Sequence, residues 1–278
     1  MNDDELRFKR KARRELAVGI IFIIALFVLV IIDAGNKIGI INRFNTVPSD
    51  EGISQLSGFT KFIIFALLIT YLLLLLIAAF ALGSSKDKPL GKGKVFFINL
   101  HNIFNIIPVV LTIFLAVDAF FISPVQVSGS SMANTLSNGD ILLTSHIKQQ
   151  TLEKGDIIIL DINIDGESNL IIKRIYATEG DVITFKNVSG VATLTVNGKS
   201  TQMGPVAGHA NYQYIETEYA LKRGEYYVVG DHYTNSTDSR SRGIMITEGE
   251  NKNAEICGKM IFSLKPFGTV NEMDPLID

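Results

Sequence analysis

Long uninterrupted apolar runs dominate the first part of the chain, and short alternating runs the rest. "LAVGIIFIIALFVLVII", residues 16–32, is uncharged and about long enough to cross a hydrocarbon core of roughly 30 Å at 1.5 Å per residue. "FIIFALLITYLLLLLIAAFALG", 62–83, is the clearest span, and a third covers about 103–122 in "NIFNIIPVVLTIFLAVDAFFI". Pro108 interrupts that third run, which a spanning helix tolerates where neighbours absorb the freed carbonyl. Asp118, near its exit, reads either as an interfacial carboxylate or as a functional acid within the membrane. From Pro124 onward the period shortens. "DILLTSH", "GDIIILDIN", "NLIIKRIYA", "DVITFKN", "ATLTVNGKS", "GEYYVVGD" and "EICGKMIFSL" are rich in β-branched and aromatic residues and bounded by turn residues. "VNGK" reads as a tight hairpin. The pattern predicts three transmembrane helices followed by an all-β domain, closed or sandwiched, with a loosely packed tail at 267–278.

Charge orients these elements. The arm "RFKRKARR" before the first run is basic, and so is "SSKDKPLGKGK" between the second and third, whereas the 33–60 loop is mixed. Short cytoplasmic loops carry the excess of Lys and Arg, and both basic segments fall on one side only if all three runs cross. No small-x-small cleavage site follows the first run, which therefore reads as a permanent anchor. The expected organisation is a cytoplasmic basic arm at 1–15, a membrane region at 16–123 and an extracytoplasmic β domain at 124–278, at the plasma membrane.

Composition agrees. The chain is 47% hydrophobic and 19% charged, the balance of a membrane protein. A net charge of −2 with no basic stripe in the C-terminal half gives no case for nucleic acid as a partner. The single cysteine, Cys257, cannot form an internal disulfide and sits in an apolar strand-like run, where it reads as a buried structural thiol.

The candidate chemistry begins at "VSGSSMANTLSNGD", 127–140, directly after the last apolar run. Ser128, Ser130 and Ser131 are candidate nucleophiles, but a serine needs a base near neutral pH. His101, His146, His209 and His232 show no companion pattern, although a Ser/His/Asp triad assembled from distant positions stays open. No lysine lies three residues after any of the three serines, so a base one helical turn away is excluded. "NLIIKRIYATEGD" offers another base, since Lys173 lies within an apolar strand. Neighbouring strand residues face opposite sides, so Lys173 and Arg174 are not expected to point inward together. Lowering a lysine pKa by about three units costs roughly 4 kcal/mol, within the reach of full burial. Taken alone, the strand favours the plainer reading of a lysine snorkelling at a sheet edge.

Three segments in order, "SGSSMANTLSNGD", "IIKRIYATEGD" and "VVGDHYTNSTDSRSRG", together resemble the serine, lysine and Gly-Asp boxes of the type I signal peptidases. The position after an outward-going span matches as well. The first two spans lie outside the resemblance, and the compact β domain resembles the shorter enzymes of Gram-positive bacteria. The resemblance implies that Ser131 is the nucleophile, with Met132, Thr135, Leu136, Gly139 and Asp140 in register. It implies that Lys173 is the general base and that Ser236 orients its amine. Arg174, Asp231, Asp238 and Arg240 would brace the site, Arg174 pairing with Asp231 or Asp238 on the outward face. Gly129 stands where some members carry a serine that donates to the oxyanion, which leaves that role to the backbone N–H of Ser131. Asn134 and Glu179 stand where many members have proline, and "HYT" at 232–234 replaces a more usual Asn-Arg pair.

The implied activity is a membrane-bound serine endopeptidase that removes signal peptides from exported preproteins at Ala-x-Ala-like sites, without metal or organic cofactor. Its substrate would bind as an added β-strand. The two extra spans would suit a partner contact in the membrane, export machinery included. Two rivals remain at this level: a peptidase dedicated to a surface-protein or pilin client, and an inactive membrane-tethered binding or assembly module. The joint presence of Ser131, Lys173 and Ser236 speaks against the inactive module.

Overall fold

The basic arm and the first apolar run are one helix, α1 (Asp3–Ala34), because the arm is built from strong helix formers and opens on Asp3, Asp4 and Glu5, which favour a helix N-terminus. The structure, a computed structural model, describes residues 3–34, 52–53, 58–85, 89–146, 151–164, 166–188, 191–201 and 218–268. Two further helical stretches follow, α2 (Gly58–Gly83) and a broken pair, α3 (Lys92–Phe104) and α4 (Ile106–Phe120). Three helical segments, 3–33, 66–83 and 92–120, are long and apolar enough to cross a membrane.

The third segment differs from the expected 103–122. It begins earlier, at Lys92, and is interrupted at Asn105. Pro108 has no N–H to offer the carbonyl of Phe104 and its ring crowds that carbonyl, so one helix ends and the next starts with the proline in its first turn. Asn105 fills the break. Its amide oxygen accepts from Tyr71 Oη at 2.8 Å, and its Nδ2 donates to the carbonyl and the carboxylate of Glu15. Gly19 permits the approach, since a β-carbon there would overlap the Tyr71 hydroxyl. Ala12, Ala78, Ala81, Leu82 and Ile98 form an apolar seam in the same helical unit. Asp118 is buried, 1% exposed.

The second unit starts at Phe121 and takes in the two-residue strand β1 (Gly52–Ile53). Its larger sheet contains β2 (Ile122–Ser128), β3 (Ile141–Ser145), β4 (Ile157–Ile164) and β5 (Glu167–Ala177). A smaller sheet contains β6 (Val182–Val188), β7 (Val191–Val196), β8 (Lys199–Ser200) and β9 (Tyr219–Ala220). The chain then returns to the larger sheet through β10 (Glu225–Val229), the one-turn helix α5 (Ser239–Arg242), β11 (Met245–Ile246), β12 (Ala254–Lys265) and β13 (Phe267–Gly268). The larger sheet runs β1-β2-β3-β12-β4-β5-β10-β11 with β13 on β12, and the smaller β8-β7-β6-β9.

All seven runs that the alternating pattern marked are strands. The hairpin at "VNGK" is a two-residue turn: Val196 pairs with Lys199, and Asn197 and Gly198 take φ of 53° and 80°, as a type I′ turn requires. The expected loose tail begins instead with β13, and Phe267 stacks edge-on against Phe262; residues 269–278 lie outside the described ones. Cys257 is buried in β12 and in no disulfide.

Two apolar clusters clamp the strands that carry the site. Ile158, Leu160, Ile171, Ile175 and Val228 pack on one face of β4, β5 and β10, while Tyr176, Tyr227, Ile183, Leu194 and Val196 join the smaller sheet to β5 and β10. Asp181 pins the entrance to the smaller sheet. It accepts from the Thr178 N–H, from Lys154 Nζ at 2.8 Å and from Asn197 Nδ2 at 2.7 Å. Burial alone would raise its pKa, but these donors outweigh burial and hold it below the usual carboxylate range. A depressed folded pKa contributes stability that is present above the unfolded value near 4 and lost as pH falls through the folded one. Asp181→Asn is therefore expected to cost roughly 1 kcal/mol at neutral pH, with less difference from wild type below about pH 4, as measured by thermal unfolding across pH.

Candidate active site

The serine-rich segment is a wide turn closed at its base. Val127 N–H donates to the Asp140 carbonyl at 2.8 Å, and Gly139 N–H returns to the Val127 carbonyl at 2.9 Å. Gly129 leaves β2 with φ of 93°, a conformation that side-chain-bearing residues rarely adopt, which accounts for glycine rather than serine at that position. Within the turn, Leu136 N–H bonds the Met132 carbonyl at 2.7 Å, and the Met132 and Leu136 side chains, 2% and 1% exposed, anchor it into the protein. Ser131 is consequently buried at 7% exposure, while Ser130 is exposed.

Lys173 meets it from β5. Lys173 pairs in register with Ile158 of β4, and alternation puts Ile171 and Ile175 beside it on the same face. Its Nζ lies 2.8 Å from Ser131 Oγ and donates to the Ile172 carbonyl at 2.9 Å, with the residue 0% exposed. A lysine snorkelling to solvent is thereby overturned. Among the described residues no histidine touches the Ser131 hydroxyl. His232 bonds the Ser130 carbonyl instead, and His209 lies outside the described residues.

Arg174 does not face solvent, contrary to expectation. It is 1% exposed on the opposite face from Lys173, because the turn at Gly155 and the loop after β10 cover that side of the sheet. Its guanidinium grips the Asp231 carboxylate through Nε at 3.0 Å and Nη2 at 2.7 Å, and donates to the Gly155 carbonyl at 2.7 Å. Asp231 also accepts from Thr135 Oγ1. Arg174 thus takes Asp231, leaving Asp238 to Arg240: Nε and Nη2 of Arg240 hold both oxygens of Asp238, which also receives the Gly230 N–H at 2.9 Å. Burial alone would lower the Arg240 pKa, but the Asp238 carboxylate outweighs it and raises it. Two buried, bidentate ion pairs therefore fix the loop that crosses the turn carrying Ser131.

Where that loop meets the serine turn, Gly230 and Asn235 take part although the sequence did not single them out, and Asn134 gains a partner. Gly230 crosses the serine turn so closely that a β-carbon would overlap Ser236 Oγ and the Ser131 carbonyl. Its place in the Gly-Asp pair was the available signal. Asn134 Nδ2 donates to the Asp231 carbonyl at 2.7 Å, a tie that proline could not make. Asn235 Nδ2 donates to Ser130 Oγ at 3.0 Å. Ser236 is in the same loop and buried, but its hydroxyl has no partner among the described residues, so the expected bond to the lysine amine is not formed in this arrangement. Among the described residues no cluster of His, Cys, Asp or Glu could hold a metal ion. The assembly amounts to a hydroxyl and an amine in contact, both withdrawn from water, a pair suited to nucleophilic attack with local proton transfer.

The sequence model of the family described as signal peptidase, peptidase S26, matches residues 99–264. Signal peptidase IB of Staphylococcus aureus strain Mu50 is 29% identical over 180 residues, covering 58% of this chain and 87% of the relative. Signal peptidase I of Bacillus amyloliquefaciens is 30% identical over 158 residues, covering 53% and 76%. A solved signal peptidase I from Enterococcus faecalis V583 is 20% identical over 34% of this chain and 89% of the other, with a TM-score of 0.23, too slight a likeness to carry an argument.

Removing one partner of a buried ion pair strands the other charge. Arg174→Met is expected to destabilise the β unit by about 3–5 kcal/mol, and Arg174→Lys by less, in denaturant unfolding. Gly230→Ala should lower the unfolding midpoint as well, by forcing Ser236 and the Ser131 carbonyl apart.

Proposed function

The chain belongs to the signal peptidase family, peptidase S26, and from that membership we propose that Ser131 and Lys173 form its catalytic dyad. As a member it is a serine endopeptidase that cleaves signal peptides. The observation that carries the dyad is the 2.8 Å contact between Lys173 Nζ and Ser131 Oγ in a site where lysine is fully buried. Burial disfavours the ammonium form, so the amine is available to accept a proton. Ser131 Oγ attacks the scissile carbonyl as its proton passes to Lys173 Nζ, giving an acyl-enzyme. The amine then protonates the leaving nitrogen and takes a proton from the water that releases the acyl group. The Ser131 N–H, which has no acceptor among the described residues, serves the developing oxyanion.

In this reading the substrate is a preprotein with small residues before the cleaved bond, as in Ala-x-Ala, laid down as an extended strand. The outer edge of β2 just before the serine turn is paired in this structure with β1, Gly52 to Ser128 and Ile53 to Val127. An incoming strand at that edge competes with a ladder only two residues long, which is weak by its length.

We also read the protein as multi-pass, with the arm at 1–15 cytoplasmic, the membrane region at 16–123 and the catalytic domain at 124–278 outside. The β1–β2 pairing supports this. β1 lies between the first and second apolar segments and β2 follows the third, so their contact needs them on one side of the bilayer. The condition is met when the second and third segments both cross, as in the three-span reading, and fails when only one of them does.

Mass spectrometry of a model preprotein with an Ala-x-Ala site tests the chemistry. Wild type should cut after the second alanine, while Ser131→Ala and Lys173→Met should each lose roughly a thousandfold or more in kcat. Retained cleavage by either variant would sink the dyad. For orientation, Ser137→Cys in a Cys257→Ala background should react with a membrane-impermeant maleimide on intact cells, and Lys11→Cys should not; the reverse labelling would overturn the topology.

A further inference from the structure

His232 holds both carbonyls that flank the nucleophile. Its backbone N–H donates to the Ser131 carbonyl at 2.9 Å, and its ring Nδ1 lies 3.0 Å from the Ser130 carbonyl. A carbonyl can only accept, so the proton resides on Nδ1 in this contact. The Ser130 carbonyl also receives the Ala133 N–H at 3.0 Å, which uses both of its lone-pair directions.

Those bonds act on the one peptide unit that the mechanism needs in a fixed orientation. A peptide is planar and trans, so the Ser130 carbonyl and the Ser131 N–H point in opposite directions from the same plane. Pinning the carbonyl from the His232 side aims the N–H away from it, and hydrogen bonding to the carbonyl polarises the amide and strengthens that N–H as a donor. The other contact from this loop to Ser130, that of Asn235, reaches the side chain and leaves the peptide plane free to rotate. We infer that His232 is a positioning residue that fixes and polarises the Ser131 N–H as the oxyanion donor, an inference that rests on Ser131 being the nucleophile. It also gives a reason for histidine in the "HYT" stretch where asparagine is more usual: Nδ1 of histidine and Nδ2 of asparagine are both attached to Cγ, so either can present a donor at the same distance from the backbone.

The test is steady-state cleavage of the Ala-x-Ala preprotein by full-length wild type, His232→Ala, His232→Asn and Ser131→Ala, with unfolding midpoints measured alongside. His232→Ala should lose about 10- to 100-fold in kcat with KM changed by no more than about twofold, since the donor acts on charge that appears only in the transition state. His232→Asn should recover to within about threefold of wild type, and all midpoints should agree, because the ring bond lies at the surface. Full kcat in His232→Ala, a loss confined to KM, a loss that tracks a fallen midpoint, or an asparagine variant as impaired as the alanine one would each overturn the positioning role. Cleavage by Ser131→Ala would overturn the nucleophile assignment itself, whereas an inert Ser131→Ala beside a fully active His232→Ala overturns only this inference.

Discussion

A lysine amine kept out of water against a serine hydroxyl is the constraint around which the β unit is organised. The proposed chemistry needs that amine neutral, which solvent would not allow, so the amine has to be buried without being stranded. It does so by setting Lys173 in the middle of an eleven-residue strand, cross-paired to Ile158 and flanked on its own face by Ile171 and Ile175. The amine's polar needs are met by the Ile172 carbonyl and the Ser131 hydroxyl, both within 2.9 Å. The contact thus joins a turn and a strand forty-two residues apart in sequence rather than resting on any local motif.

The opposite face of the same strand secures the serine turn. Arg174 points away from Lys173 and clamps Asp231, and Asp231 reaches the serine turn through Thr135, as does its backbone through Asn134 and Met132. Asp238 and Arg240 hold the rest of the same loop. One strand therefore delivers the Lys173 amine on one side and, on the other, the guanidinium that locks the turn carrying the Ser131 hydroxyl. Buried pairs of this kind contribute little net stability against an apolar alternative but punish any misplacement severely, which suits them to fixing geometry.

Much of this was legible in the chain. Seven strands followed from alternation, and the "VNGK" turn from its residue types, because both signals are local. The short strands β1, β9, β11 and β13 carry too few residues for a pattern, and Pro124 and Gln126 interrupt the apolar run that became β2. Alternation said correctly that Lys173 and Arg174 face opposite ways, but not that both faces are covered; that depends on the Gly155 turn and the Asp231 loop, which pack there from elsewhere in the sequence. Likewise the helix break at Asn105 needed the knowledge that Tyr71 and Glu15 would be present to satisfy it. The three boxes pointed to the site residues as a group, yet the tasks of Gly230, Asn134 and His232 emerge only from how closely two loops cross.

The most direct test of the central claim is acid-quenched mass spectrometry of the enzyme during turnover of a signal peptide ester, with peptic mapping of the turn at 127–140. The account predicts a transient ester carried on Ser131 alone. An ester on Ser128 or Ser130, or turnover with no ester on the protein at any time, would contradict it.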